Sequence, residues 1–271
     1  MKKCTPDLLK SLYQPASDSH KGQNGKLMII GGSKLFHSAS LWSLEVASRI
    51  VDMVYYSSVD ENNRIVFEAK KEFRNGIVVA REKINEYIEE ADCVLIGPGM
   101  PRKEGQEVGD DDTKQLTERL LKAYPEKKWV IDGGSLQTID PLLIPKNAIL
   151  TSHHREFEKL FGQKGTKDSG KEMAKKYNCI VLLKGPIDIV CSSSECMQIS
   201  GGNPGMTKGG TGDVLAGLVA ALYCKNDAFL AAIAGSYVNK KAGDELYKRV
   251  GYNFNASDLA REIPKIMGSL L

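Results

Sequence analysis

The residues with the most chemistry to offer lie late in the chain. Gly201-Gly202-Asn203-Pro204-Gly205-Met206-Thr207-Lys208-Gly209-Gly210-Thr211-Gly212-Asp213 runs straight into Val214-Leu215-Ala216-Gly217. Closely spaced glycines let successive backbone N–H groups turn toward one point. The apolar stretch from Val214 to Cys224 predicts a buried helix. Its first amides lack acceptors within the helix, and its dipole is positive at that end. Together these features predict a hollow for a transferring phosphoryl group. Asp213 stands at its mouth, where the helix terminus is expected to keep the carboxylate ionised at neutral pH. It is placed to take the proton of a substrate hydroxyl as that oxygen attacks phosphorus. A capping Asp alone does not require so many glycines, each costly in entropy. The chain contains no GxxxxGK(S/T) loop, and the segment does not follow a strand inside a βαβ unit, so no dinucleotide fingerprint is present.

Stepping outward, apolar runs end repeatedly in polar or glycine clusters. The strand expected at 27–30 ends in Gly31-Gly32-Ser33, that at 93–96 in Gly97-Pro98-Gly99, and that at 129–131 in Asp132-Gly133-Gly134-Ser135. The strand at 148–150 ends in Thr151-Ser152-His153-His154, and that at 180–183 in Lys184-Gly185. Helices are expected at 39–51, 81–90 and 112–123, and from 212 onward. Further strands are expected near 53–58, 64–67 and 77–79, with a hairpin or edge pair at 187–191 and 196–199. Alternating strands and helices imply right-handed crossovers and a mostly parallel sheet covered on both faces. Ligands bind at the carboxyl edge of such sheets, so these strand-end clusters are expected to line one cleft. Residues 1–25 read as an arm ahead of a single domain spanning 1–271.

The 271 residues carry 37 basic and 34 acidic side chains, a balance of +3, and 42% hydrophobic residues fill a substantial core. No basic stripe with interleaved aromatics appears, which disfavours nucleic acid as partner. Met1-Lys2-Lys3-Cys4-Thr5-Pro6-Asp7 lacks a signal peptide's apolar core. No apolar run approaches the ~20 residues of a membrane span. A cytoplasmic protein without membrane partners is expected. The six cysteines include no CxxC pair; Cys191 and Cys196 are near enough to meet across a hairpin, but free thiols are expected throughout.

Several of these residues resemble a family pattern. Asn203-Pro204-Gly205-Met206 with Gly209-Gly210-Thr211-Gly212-Asp213-Val214-Leu215-Ala216-Gly217 is similar to the signature of the NAD(P)H-hydrate dehydratases. His20-Lys21-Gly22, Lys26 to Ser33, Gly97-Pro98-Gly99, His153 with Glu156-Phe157, Leu183-Lys184-Gly185 and Ala256-Ser257-Asp258-Leu259 match in the same order. The resemblance implies a ribokinase-like three-layer α/β/α fold. It implies an enzyme that uses ADP or ATP, with Mg²⁺, to phosphorylate the added hydroxyl of hydrated NADH or NADPH. Phosphate then leaves and the dihydronicotinamide is restored. Asp213 would be the base; Ala39, Gly99, His153 and Asp213 would line the substrate pocket. Lys184, Gly185, Pro186, Ile187 and Asp188 would hold the nucleotide together with Gly209, Gly210, Thr211 and Gly212. Glu156 resembles an acidic position that acts near Mg²⁺, usually through water. The family also implies a homo-oligomer and an epimerase in the same pathway, here expected as a separate protein.

Each position has a plainer alternative. His153 could bond only backbone, Glu156 could be a first-turn acid favoured by the helix dipole, and Lys184 could be a strand-end lysine. Gly97-Pro98-Gly99 could be only a tight turn. Ser38-Ala39-Ser40, His154-Arg155 and Asn239-Lys240 stand where the family usually has Gly-Ala-Pro, Pro-Gly and His-Gly. Two other functions fit the glycine-rich turn: a kinase of the same fold acting on a vitamin-precursor alcohol such as hydroxymethylpyrimidine, and a non-catalytic nucleotide-binding module. The strand-end set with His153 speaks against the first, and the presence of Asp213 against the second.

Overall fold

Short apolar runs separated by amphipathic ones fold into one sheet between two helical layers. The computed structural model describes residues 2–270. In chain order come β1 (Lys2–Lys3), β2 (Lys26–Ile30), α1 (His37–Ala47), β3 (Met53–Ser57), α2 (Asp60–Ala69), β4 (Ile77–Val78), α3 (Ile84–Glu90) and β5 (Cys93–Ile96). Then follow α4 (Thr113–Ala123), β6 (Lys128–Ile131), α5 (Gly133–Leu136), β7 (Ile149–His153), α6 (His154–Phe161), α7 (Lys167–Lys176) and β8 (Ile180–Lys184). The last are β9 (Asp188–Cys191), β10 (Cys196–Ile199), α8 (Thr211–Lys225), α9 (Ala228–Val250) and α10 (Ala256–Leu270).

The sheet has ten strands in the order β1-β10-β9-β8-β7-β6-β5-β2-β3-β4. Only β9 runs antiparallel to its neighbours. Strand residues alternate between two cores. Leu27, Ile29, Leu95 and Val130 join the core built with α1, α8, α9 and α10. Met28, Ile30, Val94 and Ile131 join the one built with α3 to α7. Covered faces on both sides explain the continuous apolar strands. Helix α8 is apolar all round because it is buried from Val214 to Cys224, packed on β2, β5 and β6 and between α1 and α9.

The expected strand at 64–67 is instead helical, within α2. Asn62 and Val66, one turn apart, supply the buried face, while Ile65 and Phe67 point outward. Asp60 and Glu61 suit the first turn, so local β-propensity yields to tertiary context. The helix expected at 39–51 runs from His37 to Ala47. The arm is docked: β1 pairs with β10, and Leu9 and Leu12 are buried beside α8 and α10. The hairpin thiols are not free, because Cys191 and Cys196 face each other across β9 and β10 and form a disulfide. Cys4, Cys93, Cys179 and Cys224 are free thiols, as expected. Among the described residues, no helix is long and apolar enough to cross a membrane.

Candidate active site

Strands β2, β5, β6, β7 and β8 are mutually parallel, so their polar ends meet on one edge. Backbone bonds lace these ends together. Gly32 N donates to Pro98 O at 2.7 Å, Gly97 N to Ile30 O at 3.0 Å, and Asp132 N to Ile96 O at 3.0 Å. Gly97 has φ +116°, and a Cβ there would sit 1.8 Å from Asp132 O, so only glycine fits. A Cβ on Gly99 would come 2.8 Å from the Ala39 Cβ, which brings these two expected substrate residues together.

The glycine-rich turn delivers α8 to the same edge. Gly210 caps the helix with φ +94°, and a Cβ there would lie 2.4 Å from the Trp42 ring. Val214 N makes the first helical bond, to Gly210 O at 3.0 Å. The amides of Gly212 and Asp213 come before it and have no acceptor within the helix. The Thr211 hydroxyl donates inward, to Met206 O at 2.6 Å and Lys208 O at 2.9 Å. The Thr211 side chain is thus turned away from a ligand, and its amide also meets Lys208 O, at 3.4 Å. Gly209 faces open space, and no atom lies within 4 Å of a Cβ built there. Asn203 braces the turn by accepting from Gly205 N at 3.0 Å and donating to Gly243 O at 2.9 Å.

Four charged groups converge beneath this helix end. Lys184 Nζ lies 3.1 Å from Asp132 Oδ1 and 3.7 Å from Glu156 Oε2, and 3.6 Å from a Cβ built on Gly212. Asp132 is 3% exposed and also accepts from the Thr151 hydroxyl at 2.8 Å. Burial alone would lower the Lys184 pKa, but Asp132 and Glu156 overcome it and raise it. Asp213 was expected to be ionised at neutral pH; instead its pKa is pushed up to about 7. Burial is the main cause, Asp132 adds to it, and Lys184 only partly offsets it. The helix terminus does not outweigh desolvation and a neighbouring carboxylate. A carboxyl poised near neutrality suits a general base.

His153 caps α6. Its Nδ1 accepts from the amides of Arg155 and Glu156, each at 3.1 Å, and its own N–H donates to Glu156 Oε2 at 2.9 Å. The plainer reading of His153 and Glu156 is thus real geometry, a capping box. It leaves the His153 ring half-exposed, with Nε2 3.5 Å from Glu156 Oε1. Burial lowers the His153 pKa against the pull of Glu156, which favours the neutral ring. His154 is exposed and its Nδ1 meets Gly165 O at 2.9 Å.

The loop after β8 divides in two. Pro186 and Ile187 are exposed at the edge, while Asp188 is buried. Asp188 Oδ1 accepts from Gly185 N at 2.9 Å and Oδ2 from the Ser236 hydroxyl at 2.7 Å. Its carboxylate therefore shapes the loop and does not face a ligand. Asp132 was read only as part of a strand-end cluster and Lys240 only as a departure from the family pattern, without roles, and Ser236 was not singled out from the sequence. Ser236 lies mid-helix in α9 and gave no local signal.

For Mg²⁺, no group of three or more His, Cys, Asp or Glu side chains among the described residues could hold a metal ion. Both Glu156 oxygens already have partners: Oε2 takes His153 N, and Oε1 takes Gln137 Nε2 at 3.4 Å. The residues present do not fit a metal held directly by protein ligands. A separate cavity of about 240 Å³, lined by Leu12, Tyr13, Arg49 and Lys225, lies at the far end of α8 and takes no part in this cluster.

Residues 27–265 match the family model described as NAD(P)H-hydrate dehydratase. The bifunctional NAD(P)H-hydrate repair enzyme of Methanocaldococcus jannaschii is 36% identical over 268 residues, 96% of this chain and 51% of that protein. The chain thus spans about half the length of that relative. The ADP-dependent (S)-NAD(P)H-hydrate dehydratase of Nitrosopumilus maritimus is 32% identical, covering 93% of this chain and 91% of the relative. In fold, the chain matches the ADP/ATP-dependent NAD(P)H-hydrate dehydratase of Bacillus subtilis, co-crystallised with ATP/Mg²⁺, with TM-score 0.82 at 21% identity over 100% of this chain and 99% of that one. The ribokinase of Thermotoga maritima matches with TM-score 0.58 at 11% identity over 90% of this chain and 99% of that one, which identifies the fold as ribokinase-like. The charged cluster at the start of α8 and a family match over nearly the whole chain agree: the chain belongs to the NAD(P)H-hydrate dehydratase family.

Proposed function

We propose that this chain repairs hydrated NADH and NADPH by nucleotide-dependent dehydration. The observation that carries the reading is Asp213 at the open N-terminus of α8 with its pKa near 7 and Lys184 alongside. Asp213 takes the proton of the hydrate's hydroxyl as that oxygen attacks the terminal phosphorus of ADP or ATP. The bond from phosphorus to the nucleotide's bridging oxygen breaks, and the shortened nucleotide departs. The amides of Gly212 and Asp213, with Lys184, balance charge on the migrating group. Phosphate then leaves with the C–O bonding pair, a proton is lost from the neighbouring ring carbon, and the double bond returns. Hydroxide is a poor leaving group and phosphate a good one, which is why the nucleotide is spent.

Ala39, Gly99 and the half-exposed ring of His153 line the substrate side; Gly185 to Ile187 and Gly209 to Gly212 line the nucleotide side. Any Mg²⁺ would arrive on the nucleotide's phosphates and meet Glu156 only through water. The substrate is the hydrate, and an epimerase that interconverts its forms belongs to the same pathway. A cytoplasmic homo-oligomer, with residues 1–271 folding as a single domain, completes the proposal. The test is incubation with NADH hydrate or NADPH hydrate and each nucleotide in turn. Recovery of NAD(P)H absorbance with nucleotide consumed is expected. A vitamin-alcohol kinase would leave the hydrate untouched, and a non-catalytic module would consume no nucleotide.

A further inference from the structure

We infer that Lys240 is a positioning residue that pre-sets the 185–188 loop for nucleotide. The inference rests on the proposal that this loop holds the nucleotide. Lys240 is 6% exposed, and its stem runs from α9 between two loops of the sheet edge. On one side, a Cβ built on Gly201 would lie 3.5 Å from Lys240 Cβ, and one on Gly202 would lie 3.5 Å from Nζ. On the other, Nζ donates to Gly185 O at 3.0 Å and Pro186 O at 3.2 Å, and pairs with Asp188 Oδ1 at 3.3 Å.

An ammonium has three N–H donors, and three acceptors surround this one. None is left for a phosphate, so Lys240 acts through the loop. The arrangement closes on itself: Lys240 and Ser236, one helical turn apart on α9, hold the two oxygens of Asp188, and Asp188 also takes Gly185 N. Both carbonyls of the Gly185-Pro186 turn are thereby turned inward to the ammonium, leaving the outer side of the turn and Ile187 toward solvent. A loop held this way binds without first losing conformational freedom, which lowers the nucleotide concentration needed but not the barrier to phosphoryl transfer.

The test is Lys240→Met, with nucleotide affinity by calorimetry and steady-state kinetics with the hydrate. Expected is a nucleotide Kd and KM raised roughly tenfold or more, with kcat at saturating nucleotide close to the parent value. Unchanged affinity, or equal loss in kcat and kcat/KM, overturns the inference. If Lys240→Met does not fold, Lys240→Gln, whose amide keeps a polar partner for the buried acceptors, is read the same way. A parent chain that binds neither ADP nor ATP would instead sink the underlying nucleotide reading.

Discussion

Lys184 Nζ and Asp132 Oδ1 stand 3.1 Å apart at the ends of β8 and β6, and they act on Asp213 with opposite sign. Asp132 makes the Asp213 proton harder to lose, and Lys184 makes it easier. One buried pair therefore tunes the group that is proposed to take the substrate's proton.

Turnover is expected to rise with pH through an apparent midpoint near 7, the value to which Asp213 is pushed, because the base must be deprotonated. Asp132→Asn removes a neighbouring negative charge and moves the limb to lower pH. Lys184→Met removes the offsetting positive charge and moves it higher. Profiles of kcat/KM for the three proteins check this; shifts of the same sign in both variants would refute it.

Asp213→Asn is expected to lower kcat by about 10²–10⁴-fold or more while nucleotide binding survives. The same change should stabilise the fold at pH 8. The folded chain holds the Asp213 proton from the ordinary 3.8 up to about 7, so stability falls as pH rises across that window. The amide carries no such cost, and a gain of about 1–3 kcal/mol at pH 8, vanishing toward pH 4, should appear in urea unfolding.

Gly210→Ala places a Cβ at φ +94° against the Trp42 ring. A loss of about 1–3 kcal/mol is expected, with turnover falling alongside because the α8 amides shift. Thermal unfolding and the hydrate assay measure both.

Replacing Cys191 and Cys196 together by Ser opens a loop whose ends are 5 residues apart. Chain entropy gives a loss of about 2 kcal/mol or less for so short a loop. Turnover should stay at the parent level, since the disulfide bridges β9 and β10 away from Lys184 and Asp213.

Much of the site was legible because the topology is repetitive. In a parallel α/β sheet each strand delivers its end to the same edge, so Gly31-Gly32, Gly97-Pro98-Gly99, Asp132, His153 and Lys184 could be grouped before their distances were known. The glycines leading to Asp213 likewise announce a helix N-terminus, since backbone of that kind is a local property. Four features depended on how the chain assembles in three dimensions. The run at 64–67 became helix because Asn62 and Val66 found a core to face. The Cys191 and Cys196 thiols met because β9 and β10 pair in that register. Asp188 turned inward because α9 presents Ser236 and Lys240 to it. Asp213 holds its proton because folding removes water and brings Asp132 near. Desolvation and Coulomb interaction act through space, so only the assembled chain could decide them.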